Sequence, residues 1–181
     1  MLVAAALLLT SSGYLSPKLT LRHIIAKDPS GNLRDPSAMI QDPNTLRWHF
    51  WVVFVPGSEQ PGWAGYLHHY SSDSIAGPFV SHGLALNHSA DPGAFDHHGM
   101  FSPSAVYDAA SERWYLFYSG TGSNYTEYKT SAQLVASAAA PEGPWVREGV
   151  VAYPTGSATL GFNRTWNSRR VDSGRAVSID G

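Results

Sequence analysis

An internal repeat is the feature that most constrains the fold of this chain. In residues 34–55, Pro36-Ser37-Ala38-Met39 stands ahead of Arg47-Trp48; in residues 93–120, Pro103-Ser104-Ala105-Val106 stands ahead of Arg113-Trp114. A second pair of segments keeps the register, residues 72–79 (SDSIAGPF) matching 137–145 (SAAAPEGPW). Both comparisons give an offset of about 67 residues, which favours a true repeat over shared composition. Within each copy the runs are short and β-prone: 104–107 is apolar, 108–112 is a polar turn, and 113–118 is an aromatic strand. A repeat of this length built from short strands reads as one four-stranded blade of a β-propeller, so the fold class is all-β. Two unrelated hairpins of a sandwich are the alternative, disfavoured by the shared offset.

Blade one is expected to begin at Arg34, with its innermost strand at 37–41 and a turn at 42–45. The second strand, 48–55, is almost continuously apolar, as a strand buried on both faces should be. A loop at 56–62, a third strand at 64–70 and an outer strand beginning at 78–82 complete the blade. Blade two follows the same order with a longer, more polar loop at 119–130. Residues 132–140 have some helical character, but their match to 67–75 argues for a strand.

At 181 residues the chain is too short for a closed propeller of such blades; five would need roughly 330 residues. Residues 171–181 (VDSGRAVSIDG) look like the opening of a third blade. The expected organisation is a leader over 1–13, a lead-in over 14–33, and a partial catalytic propeller over 34–181: about two blades plus the start of a third, the front of a larger protein. Two blades alone would leave unpaired edges and half a core open, so weak activity is expected of them.

Net charge is −2 with eight histidines, and no basic patch stands out, which excludes nucleic acid and a polybasic membrane contact as partners. The absence of cysteine excludes disulfides and thiolate metal sites. The start, MLVAAALLLTSSG, carries an apolar run too short to span a bilayer. It resembles the hydrophobic region of a signal peptide, without the usual basic beginning. Together with N-x-[ST] triplets at Asn87, Asn124 and Asn163, it points to a secreted eukaryotic protein.

In a propeller the starts of the innermost strands converge on one funnel although they are distant in sequence. Asp35 stands directly before the first innermost strand, and Asp172 holds nearly the matching place in the third repeat. Asp96 belongs to the loop entering blade two. Carboxyl groups gathered in one pocket raise the pKa of at least one of them, through repulsion and desolvation. The result is an acid and a base at one pH, which glycosidic cleavage needs. Asp-Pro and Asp-Ser are also ordinary turn pairs, so the residues alone leave simple turn capping open. His97 and His98 offer contacts to substrate hydroxyls. As a lone pair without a spaced carboxylate they give little basis for a metal, so no cofactor is expected. Trp48, Trp51, Trp63 and Trp114 are candidates for stacking on sugar rings. Trp48 and Trp114 occupy equivalent repeat positions, which favours core packing for those two.

Several of these elements together, RDPSAMI, SSDSIAGPF, GAFDHHGMFSPSAVYD, PEGPW and RRVDSGRAV, resemble the five-bladed β-propeller glycoside hydrolases, families 43 and 117 among them. The resemblance covers residues 34–181. It implies an inverting hydrolase secreted to act on a plant or algal polysaccharide, with a carbohydrate as its partner. Asp35 would be the general base, Asp96 the acid that tunes its partner and holds the sugar, and Asp172 the start of the third acidic region. Those families carry Glu-Gly-Pro or His-Asp-Pro at that third place, whereas this chain reads Asp172-Ser173-Gly174, which leaves the general acid unassigned. Some propellers of this type also hold a structural calcium or sodium ion on the axis. Two further readings share the scaffold: a carbohydrate-binding propeller without catalysis, and a mannoside phosphorylase, for which paired arginines near Asp35 and Asp96 are lacking.

Overall fold

The computed structural model describes residues 31–57, 65–122 and 131–152. These form nine strands in two antiparallel sheets and, among the described residues, no helix. The first sheet contains β1 (Gly31–Arg34), β2 (Ile40–Gln41), β3 (Trp48–Pro56), β4 (Tyr66–Ser72) and β5 (Val80–Leu86), in the order β1-β3-β4-β5 with β2 also on β3. The second contains β6 (Gly99–Asp108), β7 (Arg113–Thr121), β8 (Ser131–Ala138) and β9 (Val146–Ala152), in chain order. Each is an up-and-down meander, the shape of a propeller blade.

The innermost strand of blade one is broken. Arg34 lies opposite Val53 and Ile40 opposite His49, so 35–39 carry two residues more than the facing stretch of β3. That strand starts at Gly31, six residues ahead of the expected start at Ser37. In blade two the break shrinks to a one-residue bulge between Phe101 and Ser104. The 132–140 segment is strand β8, paired with β7 from Trp114↔Ala138 to Thr121↔Ser131. β7 runs on to Thr121, past the expected loop start at Ser119.

The repeat extends to the backbone. Asp35 (φ 49°) and Ser102 (φ 50°) share a left-handed conformation, as do Leu46 (φ 60°) and Glu112 (φ 51°). Each pair is separated by about 66 residues, so matching bends recur at the same points of both blades even where side chains differ.

The main core lies between the blades. Trp51, Val53, Val55 and Leu67 of the first sheet pack with Met100, Trp114, Leu116, Leu134 and Trp145 of the second. β3 alternates: Phe50 and Val52 join Tyr70 in a separate cluster while Trp51, Val53 and Val55 face blade two. This two-sided burial is what its unbroken apolar run implies.

Candidate active site

The loop between β5 and β6 carries Asp96, and the way it is laid down is written in two glycines at the end of β7, Gly120 within the strand and Gly122 just past it. A Cβ on Gly120 would sit 2.8 Å from both the Asp96 Cβ and the Phe95 carbonyl oxygen. One on Gly122 would sit 2.7 Å from the Ala94 oxygen. Only a strand without side chains at these points lets the loop lie flat on it. The loop is also tied by its own turns, with Gly93 N donating to Asp91 Oδ1 at 2.9 Å and His98 N to Thr121 O at 2.8 Å.

Asp96 is fully buried (0% exposed). Its Oδ2 accepts from the Tyr118 hydroxyl at 3.0 Å and from Arg147 Nε at 2.8 Å. Oδ1 is buried with no hydrogen-bond partner among the described residues. A carboxylate removed from water needs such compensation, and the Arg147 cation supplies it. Arg147 also donates to the Asn87 carbonyl, tying β9 to the start of the loop. Burial first, then the Asp96 carboxylate, pushes the Tyr118 phenol up, so the hydroxyl remains a donor across the ordinary pH range. The free Oδ1 leaves Asp96 one unused acceptor in a rigid setting.

Asp35 sits at the break between β1 and β2. It is exposed, its backbone is left-handed, and its Oδ2 lies 3.4 Å from Arg34 Nε. A non-glycine residue held there costs of order 1 kcal/mol, and such positions cluster at functional sites. The break is pinned to β3 by Ser37, whose N donates to Trp51 O at 2.7 Å and whose Oγ accepts from Trp51 N at 2.9 Å. The charged neighbour of Asp35 is thus Arg34, and that of Asp96 is Arg147; no hydrogen bond or ion pair links the two aspartates among the described residues. Asp172 and Trp63 lie outside the described residues.

His97 Nδ1 is 2.9 Å from the Ser89 carbonyl oxygen, which requires that nitrogen to carry the proton. Its ring meets His98 edge-on at 4.8 Å and His88 at 6.3 Å, and His88 stacks on Tyr66. His98 is exposed. Neither His97 nor His98 belongs to the group of three His and Glu ligand atoms found among the described residues. Trp51 corrects an expectation. It is 0% exposed, with His69 stacked at 5.0 Å, Trp114 tilted at 6.0 Å and Trp145 edge-on at 5.7 Å, so it packs the core and presents no face to a sugar.

Arg147, Tyr118 and His88 were not legible as site residues in the sequence. Arg147 had a signal: it stands where the other blade has Ser81, a break in the repeat at an outer strand. His88 was hidden inside the Asn87-His88-Ser89 triplet.

No protein-family model matches the chain, and no curated protein matches its sequence. Solved structures do match. A family 117 glycoside hydrolase from the marine bacterium Zobellia galactanivorans superposes with a TM-score of 0.65 at 15% identity, over 82% of this chain and 45% of that one. The β-fructofuranosidase of Schwanniomyces occidentalis gives 0.53 at 18% identity, over 67% and 24%. The exo-β-1,3-galactanase of Phanerochaete chrysosporium gives 0.53 at 15% identity, over 70% and 28%. The chain therefore spans less than half the length of each of these proteins. At such identities the likeness establishes architecture: the described sheets are two blades of the β-propeller found in these glycoside hydrolases.

Proposed function

We propose that the protein is a secreted glycoside hydrolase that cleaves an O-glycosidic bond in a plant or algal polysaccharide or oligosaccharide. The observation that carries this reading is Asp96, a fully buried carboxylate clamped by Arg147 and Tyr118 with one oxygen unused. Buried charge of this kind costs stability, and it is most useful where a polar ligand completes it. In the proposed reaction Asp96 Oδ1 accepts a hydrogen bond from a sugar hydroxyl, while Arg147 and Tyr118 keep the carboxylate from turning. Asp35 acts as general base: it takes a proton from a water that attacks the anomeric carbon opposite the leaving group. The proton for the leaving oxygen comes from the third-blade region that begins at Asp172. His97 and His98, next to Asp96 in the chain, contact further hydroxyls.

The test is hydrolysis of arabinan, xylan and agar oligosaccharides by the full-length protein. Asp35→Asn is expected to lower kcat by about 10²–10⁴ with the circular dichroism spectrum unchanged. Asp96→Asn is expected to raise KM as well. Turnover that survives Asp35→Asn would remove Asp35 as base. Sugar binding without any hydrolysis by the unaltered protein would replace the enzyme with a binding propeller.

A further inference from the structure

A second group of titratable side chains lies in the seam between the blades, and the hydrolase reading makes no use of it. His49 on β3 and His69 on β4 are each 1% exposed, and Glu142 sits in the turn between β8 and β9. His49 Nδ1 and His69 Nε2 face one another at 2.9 Å. Their rings are within 9° of parallel with centroids 5.1 Å apart. Most of that separation is taken up by the gap and the rings' own radii, so the two imidazoles meet edge to edge in nearly one plane. A carboxylate oxygen of Glu142 completes a set of three ligand atoms that all lie within 4.8 Å of one another. The far nitrogens, His49 Nε2 and His69 Nδ1, are buried with no hydrogen-bond partner among the described residues. Two imidazoles enclosed this way make a poor core pair, since apolar rings would fill the same space without orphaned polar atoms.

We propose that His49, His69 and Glu142 bind a divalent transition-metal ion, zinc by the chemistry of the donors, and that this ion clips blade one to blade two. Two imidazole nitrogens with one carboxylate oxygen is a zinc donor set; calcium and magnesium call for oxygen cages instead. With Zn–N of about 2.0–2.1 Å and a tetrahedral angle, the two nitrogens must stand roughly 3.3 Å apart. The rings must therefore part by a few tenths of an ångström, and each must turn by roughly 35° to aim its lone pair at the ion. The hydrogen now shared between the facing nitrogens shifts to the far nitrogen of its own ring, so both rings stay neutral and no proton leaves the protein. Burial first, then the His49 and His82 rings beside it, lowers His69 to about 3; burial also lowers His49, against the nearby Glu142 and Asp42 carboxylates. Both therefore hold the neutral form that ligates a metal at neutral pH. Glu142 is exposed, which gives the ion an entry path and leaves the fourth position to water.

The experiment uses full-length protein stripped with a chelator and then titrated with Zn²⁺ or Co²⁺. One ion should bind per chain, and cobalt should develop the visible bands of a tetrahedral site. Zinc at about a hundredfold excess over its Kd should raise Tm by about 5–10 °C. Glu142→Gln, a change in an exposed turn that leaves the fold intact, should weaken zinc binding at least tenfold. Absence of binding, or a Glu142→Gln protein that loses less than tenfold, would overturn the proposal and leave a metal-free hydrogen-bonded histidine pair. Neither result depends on whether the protein hydrolyses sugars.

Discussion

Asp96 shares its Oδ2 between Arg147 and Tyr118, and that sharing fixes what each substitution should cost. Arg147→Met leaves a buried carboxylate with a single neutral donor. The Arg147 side chain is about a third exposed, so the loss should be at the low end for a buried pair, about 2–3 kcal/mol in urea unfolding. Tyr118→Phe keeps the ring and removes one bond to a charged group, for about 1.5 kcal/mol. Because both donors meet one oxygen, the double variant should deviate from the sum. Of this cluster only the acid was readable beforehand, in Gly-Ala-Phe-Asp; Arg147 lies 51 residues further along, and only the fold brings it back. His49 and His69 were equally silent, since a histidine in an apolar strand gives no sign of its partner. Their lowered pKa values carry a second expectation for chelator-treated protein. A buried imidazole that resists protonation while the unfolded chain accepts protons makes stability fall as pH drops from about 6.5 towards 3, levelling below that. Between pH 6.5 and 5, where carboxylates scarcely titrate, His69→Gln should flatten the dependence of Tm on pH; an unchanged slope would contradict it.

At the level of elements, strand order and most boundaries followed from period and turn chemistry. β3 and β7 were evident from their aromatic runs, and the turns at Asp42 and Asp108 close through their own carboxylates, Asp42 Oδ1 accepting from Asn44 N at 2.9 Å and Asp108 Oδ1 from Ala110 N at 3.2 Å. The strand at 132–140 was legible from its match to 67–75 despite the helix propensity of its alanines, and β8 pairs with β7 there. One feature escaped. The break at 35–39 depends on a left-handed Asp35 followed by a proline that cannot donate to the ladder, and an apolar pattern records neither. The seat of the Asp96 loop belongs to this scale as well. Gly120→Ala forces a Cβ into Asp96 and Phe95 and should cost about 1–3 kcal/mol. If the loop is the site, activity should fall further than stability does, which a side-by-side kinetic and denaturation series would reveal.

Over the whole molecule, the blade was legible because each copy repeats its backbone bends as well as its residues. The repeat does not record how successive blades rotate, and so does not fix where acids of different blades stand relative to one another. With the main core lying between sheets, Trp114→Ala should cost about 3–5 kcal/mol and lower the unfolding midpoint of both blades together. The central claim, that acids from successive blades serve one sugar, is tested most directly by a crystal structure of the full-length Asp35→Asn protein with an uncleaved oligosaccharide. The expected result is a sugar in one pocket, hydrogen-bonded to Asp96 Oδ1 with residue 35 facing its anomeric carbon. A sugar bound elsewhere, with residues 35 and 96 on separate surfaces, would contradict it.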